Sequence, residues 1–112
     1  MPFSLVQFKK FIQAQITAAA VTIYTTPALS QDVIKNIDIT NTSATAVGVT
    51  MNLVPTGGTA GVANQFFGSI SVPANSTLHW TGTQVMNAGD FISVVASVTA
   101  VTNIMVSGLE ST

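Results

Sequence analysis

The chain has 112 residues, with three basic and four acidic side chains, a net charge of −1, one histidine and no cysteine. That length amounts to one domain. The charge excludes an electrostatic footprint for nucleic acid, and the lack of cysteine excludes disulfides and thiolate metal sites. Charged residues make up 6% of the chain, against about 25% in ordinary domains. Acid, base, nucleophilic and metal chemistry all need ionisable groups held together, so this composition points away from an enzyme. It points toward a surface that packs on other surfaces, because interface cores are depleted in charge.

The first fifteen residues differ in texture from the rest. Leu5, Phe8 and Ile12 fall at helical spacing with Phe11 beside them, whereas Val6, Phe8 and Ile12 fit a strand register interrupted by Lys10. Three phenylalanines (Phe3, Phe8 and Phe11) need burial, each worth roughly 1.5–3 kcal/mol. The segment either caps its own sandwich or is an arm that docks on a neighbour. As an arm it gives an expected division into a docking segment, 1–15, and a β-sandwich, 16–112. Removing residues 1–15 is then expected to leave a folded domain. The lysines sit inside this apolar segment, so no secretory signal is expected. No apolar run approaches the ~20 residues of a membrane-spanning helix, and no membrane partner is expected.

From residue 20 the chain reads as strands, with Thr and Val dominant, Gly, Pro and Asn as punctuation, and recurrent alternation. The expected strands are Ala20–Thr25, Val33–Asn41, Val47–Leu53, one or two short pieces around Phe66-Phe67 and Ile70–Val72, Leu78–Thr81, Ile92–Val98 and Val101–Gly108. Turns fall at Thr26-Pro27-Ala28, Asn41-Thr42-Ser43, Pro73–Ser76 and Asn87–Asp90. Gly57–Gly61 reads as a flexible hairpin loop, since it lacks the ending of a phosphate loop and no helix follows. Seven or eight short strands at even spacing predict an all-β fold. It is a single antiparallel β-sandwich, jelly-roll-like or immunoglobulin-like, with a short N-terminal arm.

Candidate chemistry is sparse. His79 lies between Leu78 and Trp80 and points away from both, with no metal-ligand or nucleophile motif around it. Asp32 and Asp38 are expected on opposite faces of their strand, a poor acid/base pair, and Glu110 is expected in solvent. No catalytic, metal or cofactor site is expected. So few ionisable groups predict a broad pH plateau of stability, with Asp38 the first suspect for any departure. Trp80 either anchors the core or is an aromatic that stacks on a sugar or a partner chain. The residues expected to bind a partner are Phe3, Phe8, Phe11, Ile12 and Trp80.

Six segments carry a resemblance to a known group. They are Ile23-Tyr24-Thr25-Thr26-Pro27-Ala28, Ile37-Asp38-Ile39-Thr40-Asn41-Thr42, Leu53-Val54-Pro55-Thr56-Gly57-Gly58, Ser71-Val72-Pro73-Ala74-Asn75-Ser76-Thr77-Leu78, Val85-Met86-Asn87-Ala88-Gly89-Asp90 and Val106-Ser107-Gly108-Leu109-Glu110. Over residues 20–110 the chain resembles small β-sandwich structural proteins of tailed-bacteriophage virions. The resemblance implies a non-enzymatic virion component. The expected role is a head decoration (cement) protein on the outer capsid surface, bound to the major capsid protein and self-associated as a homotrimer. The alternative is a tail, fibre or baseplate component touching host glycan, where Gly57–Gly61, His79 and Trp80 would matter.

Overall fold

A computed structural model describes residues 5–112, which form eight strands: β1 (Val6–Ile16), β2 (Val21–Thr25), β3 (Gln31–Asn41), β4 (Val47–Val54), β5 (Gln65–Val72), β6 (Thr77–Met86), β7 (Phe91–Ala96) and β8 (Thr102–Ser111). They make two four-stranded sheets. Sheet A has the order β1-β8-β3-β6 and sheet B the order β2-β7-β4-β5. The antiparallel pairs β1/β8, β2/β7, β3/β6 and β4/β5 are nested around the β4–β5 connection. Every other connection crosses from one sheet to the other. A long antiparallel ribbon folded over on itself in this way is a jelly roll. The sandwich expectation holds, and this strand order decides between its two topologies.

The core lies between the sheets. Ile34, Ile37, Ile39, Ile104 and Val106 come from sheet A, and Val47, Val49, Met51, Ile92 and Val94 face them from sheet B, all at most 1% exposed. Alternation, reset in β3 by a bulge between Ile34 and Asn36, puts these side chains, all but Met51 β-branched, on one face of each strand. Turn chemistry closes the strands as the sequence requires. Gly58 donates to Pro55 O and Asp90 to Asn87 O, each at 2.9 Å, across turns whose third residues, Gly57 and Gly89, have φ of 81° and 87°. Only glycine adopts that conformation without strain.

In sheet A two bulges change the phase of the alternation. In β1 the register with β8 shifts between Lys10 and Ile12, so Phe11 and Ile12 are both buried, at 8% and 4% exposure. In β3 it shifts between Ile34 and Asn36, against both neighbours. Gly108 of β8 is required there: a Cβ at that position would lie 1.8 Å from the Val33 carbonyl oxygen. Six residues apart, Asp32 and Asp38 would share a face of an unbroken strand. The bulge, and not simple alternation, puts Asp32 inside and leaves Asp38 on the outer side.

The first segment is part of the sandwich. From Val6 to Ile16 it is the edge strand of sheet A, hydrogen-bonded to β8 along its length. The expected boundary at residue 15 therefore follows no break in the described chain. The loop after β4 is also more constrained than expected. Asn52 Nδ2 donates to Gly61 O at 2.8 Å and to Asn64 Oδ1 at 2.7 Å, pinning a single 3-10 turn at Val62–Asn64.

Candidate interaction face and buried charge cluster

The two features that stand out occupy the same end of sheet A, on its two faces. On the outer face, cross-strand registers align four side chains in one row. Phe8 of β1 stands opposite Leu109 of β8, Leu109 opposite Val33 of β3, and Val33 opposite Val85 of β6. The row thus crosses the sheet from one edge strand to the other. Phe8 is 90% exposed and Val85 45%. The outer side of an antiparallel sandwich is ordinarily polar. Beside the row is a depression of about 500 Å³ lined by Phe8, Lys10, Lys35, Asn36, Ser107 and Leu109.

On the inner face, the adjacent residues form a polar cluster. Glu110 of β8 is the register partner of Asp32 of β3, and both are buried. Lys9 Nζ reaches Glu110 Oε2 at 2.8 Å, and the Tyr24 hydroxyl donates to Asp32 Oδ2 at 2.5 Å. Tyr24 in turn packs on Phe11, with ring centroids 5.2 Å apart. Asp32 Oδ1 is buried without a hydrogen-bond partner. Burial is the main force pushing the Asp32 carboxyl up, to about 6, with Glu110 adding to it and the Tyr24 hydrogen bond opposing it. Lys9 holds Glu110 below the usual carboxylate range. Burial, then the Asp32 carboxylate, raises the Tyr24 hydroxyl. Glu110 is therefore not in solvent, and the first suspects for pH dependence are Asp32 and Glu110 instead of Asp38. A sequence signal existed, since Leu109-Glu110 continues the alternation of β8, but its register against Asp32 did not follow from the sequence.

The residues expected to bind a partner fall in different places. Phe3 lies outside the described residues. Phe8 is on the outer row. Phe11 and Ile12 are core residues, and their expected role in docking gives way to packing inside the domain, because the β1 bulge turns both inward. Trp80 is opposite Ile37 in the register and faces inward. It packs on the core and meets Phe66 edge-to-face at 4.9 Å between centroids. It thereby clasps edge strand β6 of one sheet to edge strand β5 of the other. His79 points outward and contacts Asp38, its cross-strand partner. Trp80 and His79 thus lie on opposite faces of β6 and do not form one stacking site.

No family model and no curated protein sequence matches the chain. Solved structures do. The chain is similar to a protein of Bacillus endospore appendages described as a novel family of disulfide-linked pili, at 19% identity and a TM-score of 0.58, covering 96% of this chain and 88% of that one. It is also similar to the structure of infectious bursal disease virus Gx strain, at 12% identity and a TM-score of 0.54, covering 96% of this chain and 32% of that one. A crystal structure of an infectious bursal disease virus particle matches at 10% identity and a TM-score of 0.52, covering 97% and 31%. The chain spans about a third of the length of the viral chains. At these identities the likeness is one of fold.

Proposed function

We propose that this chain is a non-enzymatic structural subunit of a virion, a decoration (cement) protein that packs on the outside of the capsid lattice. The observation that carries the reading is the outer row of sheet A, an apolar strip held on a rigid jelly roll whose remaining surface is poor in charge. Such a surface is cheap to desolvate. The mechanism is additive burial. Modest contacts, repeated by the symmetry of a lattice and of a homotrimer, add up through multivalency without any chemistry. Phe8 and the row behind it make the contact with the major capsid protein, and the sandwich is the brace. The fold shared with virus-particle chains supports this reading.

A second reading is a subunit of a fibre or tail. It is favoured by the coverage of 88% of an appendage protein. That protein belongs to disulfide-linked pili, whereas this chain has no cysteine, so any fibre it built would be held by surface burial alone.

Copy number per purified particle, measured by quantitative mass spectrometry against the major capsid protein, tests the proposal. Hundreds of copies are expected for a decoration protein. A handful moves the reading to a tail or fibre, and none removes it from the virion.

A further inference from the structure

The few charges on this molecule are unevenly paired. Lys9 is paired with Glu110, and Asp38 with His79. Asp32 is buried on Tyr24. Asp90 accepts from the backbone N–H of Thr56 at 3.1 Å and of Asn87 at 2.9 Å. Among the described residues, Lys10 and Lys35 remain as cations with no carboxylate in reach. Their ammonium groups donate only to Gln13 and Thr83, both neutral. Both lysines border the same depression, beside the apolar row, and no acidic side chain lines it.

We propose that the Phe8–Leu109–Val33–Val85 row seats a different protein whose own apolar contact strip is flanked by carboxylates, and that it does not seat a second copy of this chain. The proposal rests on the structural reading above and adds the partner's chemistry to it. Strands in a sheet lie about 4.8 Å apart, so a row crossing four of them is roughly 15 Å long. That suits one strand or helix edge of a partner laid across the sheet. A second copy placed face to face on a two-fold axis would bring the same patch against itself. Lys10 and Lys35 would then meet lysines across a depression that no carboxylate lines, the outer-face Asp38 being held by His79, and like charges across an interface are strongly unfavourable. Carboxylates on a different partner would instead pair with both ammonium groups, speed the encounter and make it sensitive to salt.

The test uses the full chain and particles produced without it. Wild type, Phe8→Asp, the charge swap Lys10→Glu with Lys35→Glu, and Val62→Asp are compared for occupancy. Val62 is as exposed as Phe8, at 86% against 90%, but lies on the β4–β5 connection. All four positions are on the surface, and thermal melts check that each variant is folded. Expected are wild-type binding that weakens as salt rises, at least a tenfold loss for Phe8→Asp and for the charge swap, and none for Val62→Asp. Wild-type-like binding by the charge swap overturns the proposal while leaving the structural reading intact. A wild-type dimer in sedimentation velocity that Phe8→Asp dissolves overturns it in favour of a second copy. Absence of the wild type from particles overturns the structural reading, and this proposal with it.

Discussion

One end of sheet A inverts the ordinary plan of a sandwich. Phe8, Leu109, Val33 and Val85 face out and are apolar, whereas Lys9, Glu110 and Asp32 face in and are charged. Toward the other end of the same strands the plan is normal, with Ile39, Ile104 and Ile16 inside and Thr40, Asn103 and Gln15 on the outer side. Because side chains alternate with period two, a one-residue bulge is enough to exchange the faces of a strand. The β1 bulge does so between Lys10 and Ile12. The inverted end has an energetic cost, since charges are desolvated inside and apolar area is left in water outside. That cost is the physical ground for proposing the outer strip as a contact surface.

Four measurements sharpen or break that comparison. The largest effect is expected from deleting residues 1–15. The truncated chain should fail to fold cooperatively, by circular dichroism and denaturant titration, because the deletion removes the register with β8 together with Phe11 and Ile12. A cooperative melt of the truncated chain would restore the idea of a detachable arm. Next, Gly108→Ala should cost at least about 4 kcal/mol, since its methyl would overlap the Val33 carbonyl in the β3 bulge that separates the two ends. Chemical denaturation reads this directly, and a loss under 1 kcal/mol would mean that the bulge relaxes freely.

Lys9→Met should destabilise by about 2 kcal/mol. That is below the 3–5 kcal/mol of a fully buried broken pair, because Lys9 itself is partly open to solvent. An unchanged midpoint would show that the inner cluster contributes nothing. The sign of the pH dependence follows from the two carboxyls. Asp32, raised in the folded state, holds a proton that the unfolded chain has lost, so its effect lowers stability as pH rises from about 4 to about 6. Glu110, depressed, contributes stability that is lost as pH falls below its ordinary range. A maximum between about pH 4 and 5 is therefore expected in place of a broad plateau. Asp32→Asn should flatten the fall toward pH 6 and gain about 1–2 kcal/mol at pH 7. A pH-independent melt of the wild type would contradict the whole cluster.

Much of the fold was legible in the sequence because strands advertise themselves through alternation. Val47, Val49 and Met51, or Ile37 and Ile39, bury one face wherever they are placed, and Gly57, Gly89 and Asn75 mark turns by the backbone angles they allow. Phe8 was also legible, as an apolar residue in need of cover. The burial of both Phe11 and Ile12 was not legible, because adjacent residues cannot both face inward in a regular strand, and only the bulge lets them.

The sequence by itself determined the class of this protein: an all-β chain, almost without charge, with its turns in place. It could do so because composition and local periodicity are properties of neighbours along the chain. Tertiary structure alone decided the jelly-roll strand order, the edge position of β1, the burial of Glu110 beside Asp32 and the outer row that joins residues 8, 33, 85 and 109. Each of these is a register between strands distant in sequence. A register is set by bulges and by which faces the two sheets bury together, and no short stretch of the chain encodes it.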